Sequence, residues 1–141
     1  MDKKELFIDF MEKTANIALA TCADGRANVR MVSIGFDRED PSVLYFVTGS
    51  DSNKAADIKK NPEVSFVPAP DKPDTDVFIR VHGKAAEAQI PVERIAELIG
   101  RHLPQIAEQI PAMLPGIIAV EIRYSEAEIS LDMAEPEIIT F

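Results

Sequence analysis

The 141-residue chain reads as a mainly β (α+β) protein, an antiparallel barrel with helices packed outside it. Seven or eight short segments rich in β-branched and aromatic residues are set off by turn signals. Most of the connections between them are of hairpin length. The three or four helical patterns never alternate with strands in the β-α-β series that a parallel sheet requires.

Leu6, Phe7, Phe10 and Met11 recur at helical spacing and predict a helix over residues 3–14. A strand over 17–22 and another over 28–36 flank Ala23-Asp24-Gly25-Arg26, whose Asp-Gly pair marks a hairpin. After a polar turn comes a third strand over 43–48, then a short helix over 52–60 that Asn61-Pro62 stops. Residues 64–67 form a strand. Three prolines and three aspartates make 68–76 an exposed loop. A long strand over 77–88 contains Gly83, where a bend or bulge is expected. Pro91 opens a helix to residue 102 with Ile95, Leu98 and Ile99 on one face, and 104–110 is a further short helix. Strands follow over 117–124, 128–133 and 138–141. With no repeats or low-complexity tract, residues 1–141 are expected to be one domain.

A net charge of −9 disfavours general nucleic-acid binding and anionic membranes, and leaves any anionic ligand dependent on a local basic pocket. No apolar run approaches the roughly 18 residues of a membrane span, and the start, M-D-K-K-E-L-F, has no apolar signal region. A cytoplasmic location is expected. Cys22 is the sole cysteine, which rules out an internal disulfide and a thiolate metal cluster; no metal is expected.

The candidate chemistry lies between Arg26 and Asn61. Alternation puts Arg30 on the same strand face as Val32, Ile34 and Phe36, where a charge needs a partner: an anion, an internal salt bridge or water at an edge. Lys54 falls in the first turn of its helix, where the helix dipole disfavours a cation, whereas Lys59 and Lys60 suit the far end. An anion at the helix start accounts for Lys54, with free amides and the hydroxyls of Thr48, Ser50 and Ser52 beside it; a solvated lysine near an N-cap is the alternative. There is no Walker loop and no G-x-G-x-x-G. His82 and His102 are isolated, Met31 reads as a packing residue, and the carboxylates of 121–137 read as solvated strand faces.

Three stretches, I-A-L-A-T-C-A-D-G-R-A-N-V-R-M-V-S-I, L-Y-F-V-T-G-S-D-S-N-K-A-A-D-I-K-K-N-P-E-V-S-F and V-H-G-K-A, occur in that order and spacing. Over residues 5–88 they resemble the pyridoxamine 5′-phosphate oxidase-like, FMN-binding split-barrel family. The resemblance implies a six-stranded antiparallel split β-barrel with peripheral helices, a homodimer, and FMN in two grooves at the dimer interface. It implies that Arg30 pairs with the FMN phosphate and that Met31, Val32 and Ser33 border the isoalloxazine. Val47 and Thr48 would lie near the ribityl chain and phosphate, and Ser52, Asn53 and Lys54 would clamp the phosphate from the helix start. The true oxidases carry a lysine where this chain has Gly35, often an arginine at Asn53 and a tyrosine at Val47. Their C-terminal Arg-x-His has no counterpart, since Arg101 and His102 are adjacent. The expected activity is therefore that of a small FMN-dependent oxidoreductase with a small-molecule electron donor or acceptor, and not oxidation of vitamin B6 phosphates. The alternatives are an FMN-binding carrier or sensing module without a substrate, or a split barrel using haem or deazaflavin.

Overall fold

A computed structural model describes residues 2–70 and 76–141. Asp2 caps α1 (Lys3–Glu12) by accepting the Lys4 amide at 3.2 Å, and Phe7 and Met11, one turn apart, are fully buried. β1 (Asn16–Ala23) and β2 (Arg26–Ser33) form the expected hairpin. Asp24 and Gly25, with φ of 55° and 75°, give the left-handed pair that a two-residue hairpin turn needs.

The single strand expected over 28–36 is two strands. At Ile34 the chain leaves β1, its amide donating to Ala15 O at 2.9 Å, and β3 (Gly35–Phe36) pairs instead with β4 (Val43–Gly49). Unbroken alternation hides this switch, and Gly35 permits it. A Cβ there would lie 2.7 Å from Leu98 Cβ of α3 (Val92–Gly100), so the backbone passes directly beneath that helix. Gly35→Ala is expected to cost about 1–3 kcal/mol through overpacking. Part of that should be regained in the Gly35→Ala/Leu98→Gly pair, which removes the Cβ in contact, measured by denaturant unfolding as a double-mutant cycle. Simple additivity of the two losses would contradict the contact.

Ser52 caps α2 (Asn53–Lys60), its Oγ accepting the Ala55 amide at 3.1 Å. β5 (Glu63–Ala69) follows, so the loop expected over 68–76 lies partly in this strand and otherwise largely outside the described residues. β6 (Val77–Glu87) pairs with β5 along one side. Its other side passes from β8 (Glu126–Leu131) to β7 (Ile117–Arg123) around Gly83, where a Cβ would meet Arg123 O at 2.7 Å. The bend expected there is this change of partner. α4 (Pro104–Met113) runs past Pro111, further than expected. Pro111 is exposed, so the carbonyl bond it forfeits is lost at the surface. β9 (Glu137–Thr140) adds to β8.

The main strand order is β2-β1-β5-β6-β7-β4-β3, with every pairing antiparallel. Val32 near one edge and Phe46 near the other share one core with Phe7, Leu19, Phe66, Val81 and Ile122, so the sheet curls on itself and stays open between its edges. This is an antiparallel split barrel with peripheral helices. The described residues form nine strands and four helices, against seven or eight strands expected and six in the barrel the resemblance implies. A second core lies outside the barrel, where Val43, Tyr45 and Ile117 pack against Ile95, Leu98, Ile99 and Ile110 of α3 and α4. Among the described residues no helix is long and apolar enough to cross a membrane.

Candidate anion-binding site

The hairpin register places Leu19 opposite Arg30 and Thr21 opposite Asn28. Arg30 turns inward toward α2 instead of pairing across the sheet edge. Its Nη1 donates to Thr21 Oγ1 at 2.7 Å and to Leu19 O at 3.4 Å, and its Nη2 stands 3.6 Å from Asp57 Oδ2. The same carboxylate oxygen accepts from Thr21 Oγ1 at 2.8 Å and from Asn28 Nδ2 at 3.0 Å. These two hydrogen bonds, followed by the charge of Arg30, hold the Asp57 carboxyl below the usual carboxylate range. Its contribution to stability is therefore present above the ordinary carboxyl pKa and is lost as pH falls through the lowered one.

α2 brings the second cation. Burial, then the charge of Arg30, lower the pKa of Lys54. Among the described residues Lys54 has no carboxylate within ion-pair distance, and the amides of Asn53 and Lys54 have no acceptor. A half-buried ammonium beside a guanidinium is a destabilised cation, and an anion arriving between them would restore it. Thr48 Oγ1 and Ser52 Oγ lie 2.9 Å apart at the same helix start.

The structure thus gathers Arg30, Thr48, Ser52 and Lys54 around the start of α2. It arranges the other candidates differently. Ser50 turns away, its amide and Oγ both donating to Gly116 O, at 3.0 and 3.2 Å. Met31 is not in the core: it lies on the opposite strand face from Arg30 and is 58% exposed. Val32 is buried in the barrel, and Ser33 Oγ donates to Asn16 Oδ1 at 3.0 Å. Val47 packs on the second core and Asn53 is exposed. Nothing in the linear sequence marks Thr21, Asn28 or Asp57 as site residues. Their only signals are the Thr21–Asn28 hairpin register and the helical spacing of Lys54 and Asp57.

Neither histidine joins this group. His82 stands on the outer strand face between Glu63 Oε2, 2.7 Å from its Nε2, and Ser65 Oγ, 3.1 Å from its Nδ1. His102 Nε2 donates to Glu12 O at 2.7 Å. Glu121 is not a solvated face residue: it is buried, and it accepts from the Gln89 amide at 3.0 Å and from Arg123 Nε. Among the described residues no group of histidines, cysteines and carboxylates is arranged to hold a metal ion.

A groove of about 770 Å³ runs along the other face of α2, floored by Ala55, Ala85 and Ala119 and reached by Ser52 and Lys59. The helix start therefore borders this groove through Ser52, while Arg30 and Lys54 do not line it.

Family and fold comparisons agree with this architecture. The pyridoxamine 5′-phosphate oxidase-like family matches residues 10–135. No curated protein matches the chain. General stress protein 26 of Bacillus anthracis has a TM-score of 0.71 at 19% identity, with 100% of both chains covered. A NimC/NimA family protein of Clostridium acetobutylicum has a TM-score of 0.69 at 23% identity, covering 99% of this chain and 91% of that one. A heme binding protein of Mycobacterium smegmatis has a TM-score of 0.75 at 14% identity, covering 99% of this chain but 58% of that one. At these identities the likeness carries the fold alone, whereas the family match spans most of the sequence. The chain belongs to the pyridoxamine 5′-phosphate oxidase-like family.

Proposed function

We propose that this protein binds FMN and acts as a small flavin-dependent oxidoreductase in the cytoplasm, as a homodimer. The observation that carries the reading is Lys54: a half-buried cation at a helix start, beside Arg30, with no acid of its own among the described residues. Arg30 and Lys54 would take the phosphate oxygens, assisted by the Thr48 and Ser52 hydroxyls and by the amides of Asn53 and Lys54. The backbone of Met31, Val32 and Ser33 would border the isoalloxazine, and Val47 the ribityl chain. When bound, the flavin supplies the electron transfer; the protein binds it, orients it and sets its surroundings.

A flavin suits this donor set better than haem does. Haem needs an axial ligand, and His82 and His102 are engaged elsewhere, with Glu63 and Ser65 and with Glu12 O respectively. The M. smegmatis neighbour, described as a heme binding protein, keeps the haem reading testable by absorbance, as a Soret band instead of flavin bands. Vitamin B6 phosphates are a poor fit as substrates. Position 35, a lysine in the true oxidases, is here a glycine beneath α3 with no room for a side chain. Arg101 and His102 lie at the far end of α3, where His102 bonds α1. A neutral or weakly charged electron partner fits better.

The second reading, a carrier or sensing module, is favoured by one observation: the carboxylate bonded within the site, Asp57, is already held by Thr21 and Asn28 and is not free to act as an acid or base. Turnover separates the two. FMN-loaded protein should be reduced by a nicotinamide cofactor and reoxidised by an acceptor faster than free FMN under the same conditions. Rates no faster than free FMN would leave the carrier.

A further inference from the structure

The proposed clamp contains an acid as well as two bases, and the acid is fixed in place. Asp57 faces Arg30 and Asn28 of β2 and Thr21 of β1. Along its own helix it shares a side with Lys54; Lys60, which also feels the charge of Asp57, is paired with Asp24 of the hairpin turn at 2.8 Å. Lys59 and Asp51, of opposite charge, both line the groove that Ser52 reaches. With Lys60 offset by Asp24 and Lys59 by Asp51, the side-chain charges left at the clamp are Arg30 and Lys54 against Asp57, a net of one positive charge. Asp57 cannot swing away when a ligand arrives without giving up its bonds from Thr21 and Asn28.

Building on the FMN reading, we infer that the clamp is balanced for one negative charge and takes the ligand's phosphate in its singly ionised form, with Asp57 as the residue that sets this preference. A phosphate monoester loses its second proton near pH 6, so at pH 8 free FMN is a dianion. A second negative charge would sit unpaired beside a carboxylate in a partly desolvated site. FMN binding should then take up a proton, and its affinity should fall by up to about tenfold per pH unit above the phosphate's second pKa. Asp57 does not supply that proton, because its hydrogen bonds and Arg30 keep it ionised throughout this range.

The test is phosphorus NMR of FMN bound to the intact protein between pH 6 and 8, with affinities for FMN and riboflavin measured by fluorescence. The expected result is a bound phosphate at the monoanion shift up to pH 8. In Asp57→Asn, which keeps the acceptor for Thr21, the bound phosphate should become dianionic, with FMN affinity at pH 8 raised about tenfold. Lys54 carries its own lowered pKa into both proteins, so it does not distinguish them. A wild-type phosphate bound as the dianion at pH 8 would overturn the inference. So would a loss of affinity in a folded Asp57→Asn, which would make Asp57 a positioning residue for Arg30. If the variant fails to fold, the wild-type spectrum alone decides. FMN binding no more tightly than riboflavin is a different failure, that of the phosphate site itself.

Discussion

Arg30→Ala is expected to weaken FMN binding by about two to three orders of magnitude while leaving riboflavin binding nearly unchanged. A charge-assisted hydrogen bond is worth roughly 1.5–3 kcal/mol, and a guanidinium can offer two of them to one phosphate. The loss is compounded here because Asp57, 3.6 Å from Arg30, would face the phosphate with one fewer cation to offset it. Lys54→Ala, which removes one cation and leaves the Arg30–Asp57 pair, should cost about one to two orders. Arg30→Lys should recover only part of the loss, because a single ammonium cannot stand in for both Nη1, which donates to Thr21 Oγ1 and Leu19 O, and Nη2, which stands beside Asp57. Fluorescence titration of both flavins against each variant checks the expectation. A loss shared equally by FMN and riboflavin would mean that Arg30 supports the hairpin and not the ligand.

The second large effect concerns assembly. The outer face of the β2-β1-β5 sheet carries Met31, Ala18 and Val67 in one row, with Val29 and Ala20 in the next. Val29 is 69% exposed, Met31 58% and Val67 42%. A soluble monomer rarely presents such a stripe, and it lies on the strand that carries Arg30, one residue to either side. We propose that the two-fold contact of the homodimer lies here. In a two-fold interface every substitution acts twice, so Met31→Asp buries two carboxylates at a cost of several kcal/mol each. Light scattering at micromolar concentration should report about twice the 15.5 kDa chain mass for the wild type and a single chain for Met31→Asp, with FMN affinity falling alongside. A variant that stays dimeric would move the contact to another exposed apolar set, such as Ile106, Met113 and Leu114.

Much of this site is visible in the sequence because its signals are local. The Asp-Gly turn fixes the hairpin, Ser52 marks the start of α2, and Lys54 is conspicuous for standing at the wrong end of a helix dipole. What escapes a linear reading depends on contacts across the fold. Nothing in the alternation of residues 28–36 marks the exchange of partners at Ile34, because the cause is α3, some sixty residues later, pressing on Gly35. Glu121 looks like one more surface acid until the Gln89 amide and Arg123 are seen to enclose it. Met31 has the composition of a core residue, but its face of the sheet is exposed. Asp57 reads as an ordinary helix-surface carboxylate, and only the register of the hairpin against α2 brings Thr21, Asn28 and Arg30 to it. The chemistry-bearing cations were therefore legible, and the acid that balances them was not.

The central claim is that Arg30 and Lys54 form a phosphate site for a flavin. Its most direct test is a paired titration of the wild-type protein with FMN and with riboflavin, which differ by the phosphate alone. FMN is expected to bind at least about a hundredfold tighter, the equivalent of roughly 2.7 kcal/mol from the phosphate contacts. Equal affinities would contradict it.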